Sequence, residues 1–196
     1  MNARLWTAEG TKLFLDAVDY HGDSLLPGWT RRHLAAHVAA NADALRNLVT
    51  WAATGIPTPM YASPAERAAG IERGIRLPDA DLDAWVHDSA ARLEAAMGSL
   101  TDDQWANEVV TAQGRTVPAT DVPWLRAREV CVHAVDLGLG ITFDDLPEDF
   151  LEALCTDVVA KRGDVPDVAG PLAERAAWLT GRPHHLIDAP ELEAWL

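Results

Sequence analysis

The segment Glu129-Val-Cys-Val-His133 places a carboxylate and an imidazole four positions apart. In a helix that spacing puts both side chains on one face, so they can converge on a single point. A second pair at the same spacing, His33 and His37, lies in Gly28-Trp-Thr-Arg-Arg-His-Leu-Ala-Ala-His-Val38. Two imidazoles and one carboxylate on rigid helices make an open divalent-metal site, with a position left for water or substrate. Spacing alone leaves both histidines of the second pair available as the third ligand. The competing readings are ordinary: an exposed helix pair worth a few tenths of a kcal/mol, and a half-buried His37 satisfied among alanines. Cys131 points off the Glu129–His133 face and reads as a core residue. Glycine-rich nucleotide loops, paired-cysteine motifs and nucleophile elbows are absent from the sequence, which removes several large enzyme classes.

Helices must carry these residues, and the apolar spacing supplies them. Leu5, Trp6, Leu13, Phe14, Ala17 and Val18 define a first helix ending near His21-Gly22. Thr30 reads as the N-cap of a long helix through Thr54, stopped by Gly55 with Pro57 and Pro59 beyond it. A long irregular connection over 56–78 holds a short helix at 64–73. Asp79 or Asp81 caps a third long helix that ends at Gly98. The connection 101–122 carries strand material at 108–112 and 115–117, around Gly114. A fourth helix covers 123–139 and holds the Glu129–His133 pair. Four long helices with two long connections describe a mainly all-α four-helix bundle with crossovers, here residues 1–146. Residues 147–196 form a C-terminal region with helices at 147–161 and 171–180. Its apolar tail, Leu192, Trp195 and Leu196, is expected to pack back.

Composition narrows the function. The chain has 196 residues, 48% hydrophobic and 23% charged, which is globular and large enough for a real core. A net charge of -14 disfavours nucleic acid and anionic membranes as partners. Of the 16 basic residues only Lys12 and Lys161 are lysines, so nearly all positive charge is arginine. Two cysteines exclude a disulfide scaffold. The N-terminal residues lack a secretory pattern, and no apolar run of about 18 residues occurs. A cytoplasmic protein is expected.

Four segments together resemble the mycothiol-dependent maleylpyruvate isomerases, a family of DinB-like metal-binding four-helix bundles. They are Leu26-Pro-Gly-Trp-Thr-Arg-Arg-His-Leu-Ala-Ala-His-Val-Ala-Ala-Asn41, Pro59-Met-Tyr-Ala-Ser-Pro64, Thr111-Ala-Gln-Gly-Arg-Thr-Val-Pro-Ala119 and Arg128-Glu-Val-Cys-Val-His-Ala-Val-Asp-Leu-Gly138. The resemblance implies a Zn2+ site (or one for another divalent metal) built by His37, Glu129 and His133, with His37 rather than His33 on the ligand position. It also implies mycothiol as the thiol cofactor. The reaction is then cis-trans isomerisation of maleylpyruvate to fumarylpyruvate, by thiolate addition, bond rotation and elimination, within aromatic-compound degradation. Such a substrate carries two carboxylates, which arginines must receive. Arg182 resembles the family's catalytic arginine, Arg67 is a second candidate, and Arg115 adds further positive charge. Asp136 is either an acceptor for an imidazole N–H or an exposed helix acid.

Members of the family continue after the bundle into a small α/β domain. Here only about 35 residues follow Lys161, without strand-like runs, so a short, reduced helical extension carrying Arg182 is expected. Two alternatives share the metal bundle: a mycothiol S-transferase acting on another electrophile, and a non-catalytic sensor or partner-binding protein.

Overall fold

The computed structural model describes residues 2–192 and 195. Its helices are α1 (Ala3–Ala17), α2 (Arg31–Thr54), α3 (Pro64–Gly74), α4 (Asp79–Ser99), α5 (Asp102–Trp105), α6 (Val122–Asp136), α7 (Glu148–Arg162) and α8 (Leu172–Leu179). The sheet among the described residues is one antiparallel hairpin, β1 (Glu108–Val110) and β2 (Thr116–Pro118), with Val109 opposite Val117. The chain divides into two compact units, residues 3–139 and, in the second, Asn2 together with the residues from 140 onward.

In the first unit, α1 packs on α6, and α2 packs on both α4 and α6. These four helices are the expected bundle. Sequence-local signals set the long helix α2. The His33 ring bonds back to Thr30 at its start, and Gly55, at φ 72, closes its end with an N–H donated to the Trp51 carbonyl. Its stripe of Ala42, Leu45, Leu48, Val49 and Ala52 joins Leu93 and Met97 of α4 and Val109 and Val117 of the hairpin in one core cluster. Each fully buried leucine there contributes about 1.5–3 kcal/mol. The hairpin seals this end of the core, and Gly114, at φ 75, makes its turn.

Helix α6 is the central element, buried along almost its whole length from Val122 to Asp136. A charged side chain on such a helix must find partners inside the protein. That condition governs the site.

Some boundaries move. The first helix stops at Ala17, earlier than the apolar pattern suggested. Asp79 is the first residue of α4 and Pro78 precedes it, so Asp79 and Asp81 lie in the first turn, where carboxylates favour the helix dipole. Helix α6 ends at Asp136, and Gly138, at φ 66, turns the chain away. The short α5 was not expected; Thr101 and Gln104 cap each other at its start.

In the second unit α7 packs on α8, and a 3-10 turn at Phe143–Asp145 also meets α8. Leu192 and Trp195 are half-buried, with the Lys161 ammonium 5.5 Å from the Trp195 ring centroid. The expected packing of Leu196 lies outside the described residues. No described helix is long and apolar enough to cross a membrane.

Candidate metal centre

The turn before α2 is tied to the end of α6: the Leu25 N–H donates to the Asp136 carbonyl (2.8 Å) and Arg31 Nε to the Leu137 carbonyl (2.8 Å). This brackets the first turns of α2 against the last turns of α6, where His37 meets Glu129 and His133. Ligand atoms of these three residues all lie within 4.8 Å of one another. His37 Nε2 is 2.9 Å from Glu129 Oε2, and His133 Nε2 is 3.3 Å from the same oxygen. The two rings stand edge to face with centroids 5.0 Å apart, and Trp29 packs edge-on against His37 at 5.5 Å.

The hydrogen-bond partners assign the protons. Asp136 Oδ2 accepts from His133 Nδ1 at 2.8 Å, and Asp136 is wholly buried. It is therefore the imidazole acceptor and not an exposed helix acid. With its proton on Nδ1, the His133 ring presents the Nε2 lone pair toward a carboxylate oxygen. That buried Nε2 has no hydrogen-bond partner. Two acceptors facing each other inside the protein call for a cation between them, and the donor set of two imidazoles and one carboxylate suits a divalent metal. The residues present fit such an ion.

Electrostatics agree with this geometry. Burial opposes the charge on Glu129, yet the His133 and His37 rings beside it hold its carboxyl well below the usual carboxylate range. Burial lowers the His37 pKa, outweighing the opposite pull of Glu129. Burial likewise works against charging His133, but Asp136 and Glu129 overcome it and raise the pKa.

His33 takes no part: its Nδ1 is spent on Thr30, 2.7 Å from the hydroxyl and 3.2 Å from the backbone N–H. Cys131 lies in the core with its Sγ 3.7 Å from the Trp6 carbonyl, and burial pushes its pKa up to about 12. It is neither a ligand nor a nucleophile.

Arg67, on α3, reaches the cluster from outside. Its Nη2 is 3.3 Å from His37 Nδ1. A guanidinium only donates, so without an ion Nδ1 is the acceptor and the His37 proton sits on Nε2; an ion bound at Nε2 would move that proton to Nδ1 and free Arg67 from the ring. Arg67 also lines two cavities. One, of about 660 Å³, is bordered by Arg46, Arg73 and Arg92 as well. The other, of about 530 Å³, is walled by Trp51, Pro57, Pro59 and Val110. Met60, Tyr61 and Ala62 line both, so the cavities adjoin at Arg67 and Tyr61. Arg115 is exposed on the hairpin turn. In the second unit Arg182 follows α8, is 5% exposed, and donates from Nη1 to the Thr180 carbonyl at 2.6 Å.

Tyr61, Asn41 and Arg126 were not singled out from sequence as site residues. Tyr61 and Asn41 lie inside segments quoted for the family resemblance. Arg126 is three residues before Glu129, a spacing that places it on the same helix face.

Fold and centre together define a helical-bundle protein with an open site of two histidines and one carboxylate. Residues 11–138 match the family described as the mycothiol maleylpyruvate isomerase N-terminal domain. The crystal structure of a mycothiol-dependent maleylpyruvate isomerase is 38% identical, covers 98% of this chain and 94% of its own, and superposes with a TM-score of 0.89. A histidine-to-alanine mutant of that enzyme matches equally well. No curated protein matches significantly. The chain belongs to the mycothiol-dependent maleylpyruvate isomerase family, and its fold is DinB-like. The match spans nearly all of both chains, so the C-terminal unit has its counterpart in that relative.

Proposed function

We propose that this chain is a zinc- and mycothiol-dependent isomerase converting maleylpyruvate to fumarylpyruvate. The observation that carries the reading is the convergence of His37, Glu129 and His133 on one point in a chain of this family. In the reaction the cis double bond is opened by addition of the thiol, turns as a single bond, and is restored in the trans form on elimination. No thiol is consumed.

His37, Glu129 and His133 would hold the metal. A bound divalent metal supplies a thiolate at neutral pH, where a free thiol of pKa about 8.5 is mostly protonated. Asp136 keeps the His133 proton on Nδ1, so that Nε2 is free to coordinate. The rest of the work falls to cations. Arg67 adjoins both the cluster and the two cavities, which supports a role in receiving a substrate carboxylate. The family's catalytic arginine is proposed to be Arg182, on the resemblance of Trp178-Leu-Thr-Gly-Arg182; an Arg182→Ala variant that keeps its metal and its full activity would remove that role.

The test follows the absorbance of maleylpyruvate with mycothiol, with glutathione and with no thiol. Conversion to fumarylpyruvate only with mycothiol, at constant thiol concentration, is expected. Stoichiometric loss of thiol would make the protein an S-transferase. No conversion under any condition would leave a binding protein.

A further inference from the structure

A second charged side chain is buried beside the cluster and belongs to none of the roles above. Arg126 is 2% exposed, among the largest fully buried side chains of the chain. From α6 its Nη1 donates to the Val38 carbonyl at 2.8 Å and to Asn41 Oδ1 at 2.9 Å, both on α2. Val38 is the next residue after His37, and Asn41 lies one helical turn on from it. On α6, Arg126 lies one turn before Glu129. One guanidinium thus spans the two helices that must bring His37 and Glu129 together, a single turn from where they meet.

Packing alone does not explain this residue. A buried charge with two neutral acceptors carries a desolvation cost that an apolar side chain of similar volume would not. Burial works against its charge, and the charges of Glu129, Tyr61 and Asp43 work for it, Glu129 most strongly. Arginine offers what an apolar residue lacks: one nitrogen, Nη1, held in a rigid guanidinium plane, whose two N–H groups reach both acceptors and tie α6 to α2.

We propose that Arg126, through Val38 and Asn41, is a positioning residue that sets the spacing of His37 from Glu129 for metal binding. The inference rests on the metal reading of the cluster. Groups outside the ligand shell that orient ligands change metal affinity 10–100-fold when removed.

The test measures the zinc affinity of metal-free protein by competition with a chelator, together with melting with and without zinc. The variants are Asn41→Ala, which deletes one acceptor, and Arg126→Lys, which keeps the charge and loses the planar guanidinium that places Nη1. Both are expected to bind zinc at least tenfold more weakly, and the stabilisation conferred by zinc shrinks by about 1.4 kcal/mol per tenfold. A purely structural arginine would instead lower melting equally in both states and leave the affinity unchanged. Parent-like zinc affinity in both variants overturns the inference. A His37→Ala control separates the two levels. If it loses zinc while Asn41→Ala and Arg126→Lys keep parent affinity, only the positioning role fails. If it also keeps zinc, the metal reading fails, and the inference with it.

Discussion

His37 Nε2 and Glu129 Oε2 are 2.9 Å apart although 92 residues separate them in the chain. The contact joins α2 to α6 and makes Glu129 the shared partner of two imidazoles, with His133 Nε2 3.3 Å from the same oxygen. Glu129 is only 15% exposed and His133 2%. A carboxylate so enclosed remains charged because two ring nitrogens face it, and a divalent ion would satisfy all three groups at once.

Metal content follows directly from this relationship. Purified protein is expected to carry about one zinc per chain, and His37→Ala or Glu129→Ala to lose it, each removing one of three ligands. Elemental analysis of the purified variants decides; unchanged metal in both would sink the site.

Asp136 should matter for affinity without being a ligand. Asp136→Ala removes the acceptor of His133 Nδ1–H, so the ring can tautomerise or rotate, and zinc affinity should fall 10–100-fold. Asp136→Asn, which keeps an oxygen acceptor, should lose less. Chelator competition on the two variants tests the ranking, and equal affinities in parent and Asp136→Ala would contradict it.

For Arg67 the expected loss is in catalysis. Arg67→Met should retain zinc, because the side chain only donates to a ring nitrogen that faces away from Glu129. Its kcat/KM for maleylpyruvate should fall by about 10–100-fold, as expected when a charged hydrogen bond worth about 1.5–3 kcal/mol is lost. Steady-state kinetics on zinc-loaded enzyme would reveal a parent-like value if Arg67 is a bystander.

The packing of α1 on α6 can be probed away from the site. A Cβ at Gly10 would come within 2.4 Å of Cys131 Sγ and 2.8 Å of Val130 Cγ2. Gly10→Ala is therefore expected to destabilise the protein by about 1–3 kcal/mol despite alanine's better helix propensity. Denaturant melts measure it, and adding Cys131→Ala should recover part of the loss.

Cys131 itself predicts an alkaline limb in stability. Its folded pKa, raised by burial to about 12, lies above that of an unfolded thiol, about 8.5. The unfolded chain therefore releases this proton first. The contribution is fully present below pH 8.5 and falls as pH rises toward 12, by up to about 1.4 kcal/mol per pH unit. Comparing urea midpoints of parent and Cys131→Ala between pH 8 and 10 isolates the effect; parallel pH curves would refute it.

Much of this protein could be read from local sequence, because helices are written in local spacing. The i,i+4 placement of Glu129 and His133, the N-cap at Thr30 and the stop at Gly55 needed only neighbours a few residues away. So did the hairpin strands around Gly114. The family resemblance in four short segments carried the ligand set as far as His37.

Contacts between distant segments decided the rest. His33 and His37 share a helix face, but only the folded turn shows the His33 ring consumed by Thr30 while His37 meets Glu129. Asp136 was equally consistent with solvent or core until α6 proved buried to its last residue. Arg67 could have been a solvated loop arginine, and Arg126 gave no signal beyond its spacing from Glu129. Each outcome depends on which polar group another helix supplies and on how completely water is excluded there. Local periodicity assigns a residue to a helix face; the partner and the solvent on that face exist only once the helices have packed.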